Sequence, residues 1–271
     1  MWAAQRIQLL SLTQAIKKAL FDGGGSPRTY VSKFWYPRRG IGRITQRVAD
    51  RVRRQGGVIK LSQPVEKIEK IETGYRVHAK GEQFEAERVV STIPVPLLAR
   101  LLGESVDKSR LAYRSLRCVF LLVNKDRVTD DTWIYTPDRG TIFGRIHEPK
   151  NWSPEMVPGK GTSLCLEVFC TEGDELWNLP SDELHRRCVA DLERLGFLRA
   201  DEVGDAHDIK VKNAYPVFLV GYEKDLAQTA DRIARHDGVY LVGRTGAYTY
   251  INMDQVIADV LRLADRLVDG A

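Results

Sequence analysis

An apolar run that ends at Gly243-Arg244 and gives way to a helical pattern opening at Met253-Asp254 is the stretch of this sequence best equipped for chemistry. A strand-to-helix junction presents unpaired backbone N–H groups and the positive end of a helix dipole, so it suits an electron-rich ligand. Arg244 adds a fixed cation beside it, a good partner for phosphate. The same residues also fit a plain β-loop-helix with an aspartate in the first helical turn and a surface arginine, and residue types alone leave the two readings level. Arg114, in the run Leu111-Ala112-Tyr113-Arg114-Ser115-Leu116-Arg117, suits either an anionic substrate or an exposed strand end, and the second is the reading we favour. His147, in Phe143-Gly144-Arg145-Ile146-His147-Glu148-Pro149, suits an acid or base, although its context favours a loop histidine satisfied by its neighbours. Glu172 and Asp174 mark a strand end and a helix start. The spacings contain no Ser-His-Asp set, metal-ligand cluster or phosphate loop, so no catalytic residue and no metal site are assigned.

The elements that must position these groups follow from periodicity. Leu9, Leu10, Leu12, Ile16, Ala19 and Leu20 predict a helix that stops before Gly23-Gly24-Gly25-Ser26-Pro27, followed by an extended aromatic stretch over 30–36. Ile44, Val48, Ala49 and Val52 mark a second helix, ended by Gly56-Gly57. A short strand over 58–61, two strands of a small meander over 75–79 and 83–86, a buried strand over 88–93 and a short helix over 97–102 complete this block. Longer strands are expected at 118–123, 132–135, 163–170 and 209–214. They are interrupted by a helix over 181–195 with an N-cap serine and acids in its first turn, which together suit a mixed, mainly antiparallel sheet. The chain then returns to α/β texture with a helix near 221–234, a strand over 238–243 and a last helix over 254–268.

The 271 residues, 43% hydrophobic and 28% charged, are ordinary for a globular protein and sufficient for one large domain or two modest ones. The net charge of +5 is interspersed; its densest stretch, Arg47 to Arg54, reads as a solvated helix face without aromatics to stack bases, which sets nucleic acid aside. Cys118, Cys165, Cys170 and Cys188 lack metal spacing and read as reduced thiols, an expectation of the cytoplasm. No stretch approaches the roughly 18 apolar residues of a membrane helix, and residues 1–6 are no signal peptide.

The run from Gly243 to Ile257, Gly-Arg-Thr-Gly-Ala-Tyr-Thr-Tyr-Ile-Asn-Met-Asp-Gln-Val-Ile, resembles the C-terminal FAD motif of UDP-galactopyranose mutases and related flavin-containing amine oxidases, a group that also takes in protoporphyrinogen-oxidase-like proteins. Further stretches match in the right order. Tyr36-Pro37-Arg38-Arg39-Gly40-Ile41-Gly42 resembles the superfamily's Pro-x-x-Gly-x-Gly loop near the isoalloxazine, residues 57–68 the segment whose valine contacts adenine, and residues 87–94 the strand that returns under the cofactor. The resemblance implies that Gly40, Gly42, Val65, Thr92, Pro94, Gly243, Arg244, Gly246, Asn252, Met253 and Asp254 bind FAD. It implies that Arg114, Tyr248 and Tyr250 face the substrate.

These flavoproteins open with a βαβ unit carrying Gly-x-Gly-x-x-Gly and a later ribose-binding acid. The nearest run here, Gly40-Ile41-Gly42-Arg43-Ile44-Thr45, has threonine in the third place and follows a proline. The expected architecture is therefore an incomplete FAD-binding Rossmann-like domain (40–102 and 216–271) with a substrate domain of mixed, mainly antiparallel sheet and flanking helices (1–39 and 103–215). The resemblance implies a flavin-dependent oxidoreductase acting on a small molecule, completed by an N-terminal FAD-binding segment or separate subunit. Two alternatives stand beside it: a mutase-like non-redox flavoenzyme acting on a nucleotide sugar, and a cofactor-free scaffold derived from a flavoenzyme. The isolated chain is expected to hold FAD weakly or not at all, and to pair or self-associate through apolar surface near 58–61, 89–93 and 239–242.

Overall fold

The computed structural model describes residues 35–106, 110–157 and 159–269. The helix expected over 9–20, the glycine loop after it and most of the stretch 30–36 lie outside them. Residues 35–37 carry no regular structure, and the chain from Arg38 onward forms one compact unit.

Helix α1 (Gly42–Arg54) has the basic last turn that suits the negative end of a helix dipole, and it buries no residue; Ile44 and Val48 on its apolar stripe are 36% and 59% exposed. The strand expected over 58–61 does not form. Val58 and Leu61 are 80% and 78% exposed, and no strand among the described residues lies alongside to bond their backbone. Strands β1 (Val65–Ile71), β2 (Gly74–Ala79) and β3 (Glu82–Ala86) make an antiparallel meander. Gly74 is obligatory in it: at φ 139° its Cβ would sit 2.3 Å from the Ala86 carbonyl oxygen. Strand β4 (Val89–Ser91) follows, and Pro94 and Pro96 open helix α2 (Val95–Leu101) where no N–H is required.

Strands β5 (Leu111–Val123), β6 (Trp133–Tyr135), β7 (Arg145–His147) and β8 (Thr162–Cys170) come next, then the turn α3 (Glu175–Asn178), helix α4 (Ser181–Arg194) and strand β9 (Val203–Phe218). Helix α5 (Tyr222–Ala234), strand β10 (Val239–Leu241), the single turn α6 (Gly243–Gly246) and helix α7 (Met253–Asp269) end the described chain. The five strands order β6-β7-β8-β5-β9, every pair antiparallel, while β10 pairs with β4 in parallel as a two-stranded sheet. The molecule is thus mixed α/β, with antiparallel sheets and flanking helices.

Alternation along β5 and β8 sends Val119, Leu121, Leu164, Leu166 and Val168 to one face, where Leu184, Cys188 and Leu192 of α4 cover them. A second core joins Val95, Leu98 and Ala99 of α2 to Tyr75, Leu111, Ile233 and Tyr248. Strand β5 serves both by its length: Leu111 at its start lies in the second core and Val119, Leu121 and Val123 in the first, while the irregularity falls on β9, where Val211 to Tyr215 lie against Arg114 to Leu116. The strand expected to be buried near residue 90 is only partly so: Ser91 is buried, but Val90 is 47% exposed. Among the described residues no helix is long and apolar enough to cross a membrane.

Beneath α4 lies Arg117, 1% exposed. It donates to Asp208 Oδ2 from Nε at 2.9 Å and from Nη2 at 2.8 Å, to the carbonyls of Leu176 and Leu179, and to Ser181 Oγ at 3.2 Å. Ser181 is therefore not the N-cap its sequence position suggested. Pro180 holds that place, and the hydroxyl is drawn into this buried ion pair instead.

Candidate ligand site

The junction after β10 is built on close approach of two strand ends. Val242 N–H donates to the Ser91 carbonyl at 3.0 Å, Gly243 turns at φ 79°, and the chain runs directly into α6 rather than into an open loop. A Cβ on Gly246 would lie 2.8 Å from the Ser91 carbonyl oxygen and 3.0 Å from Thr92 Cα, so only glycine lets α6 rest on the end of β4. A Cβ on Gly243 would meet nothing within 4 Å, which leaves open space at the turn itself.

Arg244 is held on three sides. Its Nε donates to the Ile251 carbonyl at 2.8 Å, its Nη2 to Asn252 Oδ1 at 3.4 Å, and its guanidinium lies 4.9 Å from the Tyr250 ring and 5.2 Å from the Tyr215 ring. The two tyrosines stack at 6.0 Å. Asn252 starts α7: its carbonyl accepts from Val256 N–H, and its own N–H is capped by Gln255 Oε1 at 3.0 Å. Met253 and Asp254 occupy the exposed first turn of α7.

The structure thus gathers Thr92, Gly243, Arg244, Gly246, Tyr250 and Asn252 around one junction. Pro94 caps α2 just after Thr92. Gly40, at φ 100°, packs against Met156, and Gly42 opens α1. Val65, at the irregular start of β1, borders an open hollow of about 270 Å³ with Val58, Lys60 and Phe84.

A second set of polar residues lies on the sheet face opposite α4. Glu167 is 7% exposed; its Oε1 accepts from Arg145 Nη2 and lies 2.9 Å from His147 Nε2. Arg145 also donates to Tyr215 OH at 3.1 Å, which links this cluster through Tyr215 to Arg244 and Tyr250. Burial alone would raise the Glu167 pKa, but His147 and Arg145 outweigh it and hold the carboxyl below its ordinary range. Burial works against the Arg145 charge, and Glu167 more than restores it. Glu167 Oε2 and Arg145 Nε are both buried without a hydrogen-bond partner, one acceptor and one donor unspent in the same cluster.

Three sequence expectations change. Tyr248, expected to face substrate, is 2% exposed, and its hydroxyl lies against the carbonyls of Val217 (2.8 Å), Ala112 (2.9 Å) and Arg110 (3.3 Å). Burial pushes that phenol up to about 12, so Tyr248 is a neutral core group with no face for a ligand. His147 is no loop residue: it ends β7, its ring nitrogen on a carboxylate. Arg114 is exposed, but it lies inside β5 rather than at a strand end. Arg145, Glu167 and Tyr215 were not read from sequence at all. Their signal was an acid inside the apolar run 163–170, which has to find a cation when the strand is buried.

A family model described as flavin containing amine oxidoreductase matches residues 8–268. No curated protein sequence matches the chain. Among solved structures, reduced UDP-galactopyranose mutase superposes with a TM-score of 0.74 at 19% identity, covering 87% of this chain and 53% of that one. A candidate protoporphyrinogen oxidase from Exiguobacterium sp. 255-15 gives 0.64 at 20% identity, covering 76% and 46%. A putrescine oxidase variant from a redesign of cofactor binding gives 0.63 at 16%, covering 86% and 53%. At these identities the likeness is one of fold, and the chain spans about half the length of the structures it matches.

Proposed function

Because the chain belongs to the flavin-containing amine oxidoreductases, we propose that it is part of a flavin-dependent oxidoreductase acting on a small molecule. In this reading residues 40–102 and 216–271 form the cofactor side, and residues 1–39 and 103–215 the substrate side. A dinucleotide-binding βαβ element from outside these 271 residues, on the same polypeptide or another, completes the cofactor side. The observation that carries the reading is the junction of β4 and β10, where Gly243 leaves open space beside a clamped Arg244. The exposed Val90 of that two-stranded parallel sheet supports a further layer or strand, since parallel strands are normally covered on both faces.

The residues present fit one flank of an FAD and not its diphosphate cradle. Gly243, Arg244, Thr92, Asn252 and the first turn of α7 would hold it; the sequence contains no Gly-x-Gly-x-x-Gly run to complete the grip. When bound, the flavin supplies acceptance and return of an electron pair. The chain's own contribution is orientation and charge: Arg145 and His147 hold an ionised Glu167 beside a guanidinium in one cluster, a fixed pair of opposite charges for a polar substrate to orient against. His147 and Arg145 keep that carboxylate charged.

The non-redox mutase reading is favoured by one observation, the two guanidiniums of Arg145 and Arg244 joined through Tyr215, a pairing suited to a diphosphate. Turnover with or without net oxidation separates the two.

The chain alone is expected to bind FAD more weakly than micromolar, because several desolvated contacts of about 1–3 kcal/mol each are missing; submicromolar affinity by calorimetry would contradict this. In the completed protein, Arg244→Ala should lower FAD affinity by about tenfold or more, the loss of a charge-assisted contact of about 1.5–3 kcal/mol. Equal flavin occupancy of variant and wild type at limiting FAD would remove Arg244 from the site.

A further inference from the structure

Cys118 and Cys165 lie on the same face of the five-stranded sheet, opposite the α4 core. Cys118 stands directly across from Glu167, and Phe120 directly across from Cys165, so the two cysteines are diagonal neighbours on β5 and β8. Both are half-buried, whereas Cys170 and Cys188 are buried. Across β8 from Cys165 stands His147, and beside it Arg145 stands across from Glu167. The pair therefore sits inside the polar cluster that presents Arg145 and Glu167.

We propose that Cys118 and Cys165 form a reversible redox couple, oxidised to a disulfide by hydrogen peroxide and reduced again by a small thiol. The Cys118 thiolate attacks one peroxide oxygen; the O–O bond breaks, and the departing hydroxide takes up a proton as water. This leaves a sulfenic acid on Cys118. The Cys165 thiol then gives up its proton, its sulfur attacks the Cys118 sulfur, the S–O bond breaks, and a second water leaves. Two electrons have passed from the thiol pair to the peroxide. Two small thiols return them by exchange through a mixed disulfide.

Cys118 is the attacking thiol because the Cys165 thiol hydrogen-bonds to it and Arg145 adds positive charge, and together these outweigh burial and the Glu167 carboxylate. The same bond, with burial, pushes Cys165 up, so it is the resolving partner. Burial lifts Cys170 to about 11 and Cys188 to about 12, leaving both inert.

Diagonal neighbours in an antiparallel pair stand about 7–8 Å apart at Cα, beyond the roughly 4.4–6.8 Å a relaxed disulfide spans. Closing the bond must shift β5 against β8. A bond formed under that strain is easily reduced, which makes it a switch rather than a staple. The shift falls on Glu167 and His147, the residues facing the two cysteines, and so reaches the cluster directly.

The test is made on the 271-residue chain with hydrogen peroxide in small molar excess. The thiol titre in denaturant should fall from four to two, and dithiothreitol should restore it. Peptide mapping should show the Cys118 and Cys165 peptides joined, with loss of two hydrogens. Cys165→Ser should leave a sulfenic acid on Cys118 that dimedone labels, and Cys118→Ser should abolish labelling. A titre that stays at four, a link to Cys170 or Cys188, or a link between two chains would overturn the proposal. The wild-type map decides even where a variant fails to fold.

Discussion

Arg117→Ala should destabilise the protein by about 3–5 kcal/mol, because it strands a buried carboxylate rather than merely deleting a bond. Asp208 is 5% exposed at its side chain and keeps His185 Nε2 at 3.0 Å, while the carbonyls of Leu176 and Leu179 lose their donor. Urea unfolding followed by fluorescence reads this directly, and a loss under about 1 kcal/mol would show that the cluster relaxes into water. Replacing both partners, Arg117→Met with Asp208→Leu, should recover the part due to the stranded carboxylate, while the carbonyls of Leu176 and Leu179 stay without their donor. The pair also sets a pH dependence. Burial alone would raise Asp208, but Ser181 and Arg117 hold it below the ordinary value of 3.8. Its stabilising contribution is therefore fully present above that value and is lost as pH falls through the lower folded value. Asp208→Asn should remove that part of the acid slope.

Tyr248→Ala should cost about 3–5 kcal/mol, as a buried aromatic truncated to a cavity. The ring packs edge-on against Tyr113 at 5.1 Å and Phe218 at 5.8 Å, so its loss opens the second core at its centre. Tyr248→Phe separates the hydroxyl from the ring: about 1–3 kcal/mol should go with the donor that serves the carbonyls of Ala112 and Val217. A substrate contact would behave in the opposite way, with unchanged unfolding and an altered KM. An unfolding midpoint for Tyr248→Phe equal to wild type would restore Tyr248 to the ligand side.

The β-turn-helix of Gly243 to Asp254 was legible because glycine, arginine and an apolar run report local geometry, and local geometry is what a sequence encodes most directly. The helix Ser181–Arg194, the second half of β5 (118–123) and the strand 162–170 were legible for the same reason, through period. What was missed depends on partners distant in the chain. Residues 58–61 have a strand's composition but no neighbour among the described residues to pair with. Strand β7 has only three residues, two of them charged or titratable, and is a strand because β6 and β8 flank it. Tyr248 lies two residues from Tyr250 in one motif, yet one ring enters the core while the other stacks beneath Arg244; only the backbone turn at Tyr248 (φ 49°) separates their fates. Tyr215 acquires its role from Arg145, 70 residues away.

The length of β5 has a consequence for how the protein comes apart. One 13-residue strand carries Leu111 in one apolar cluster and Val119, Leu121 and Val123 in the other. Neither cluster can open locally without pulling on the rod that runs through its neighbour, so the two behave as a single cooperative unit rather than as separately fraying halves. Amides at the centre of that strand exchange with solvent only when the whole unit opens. A ligand that tightens either end would slow exchange at both.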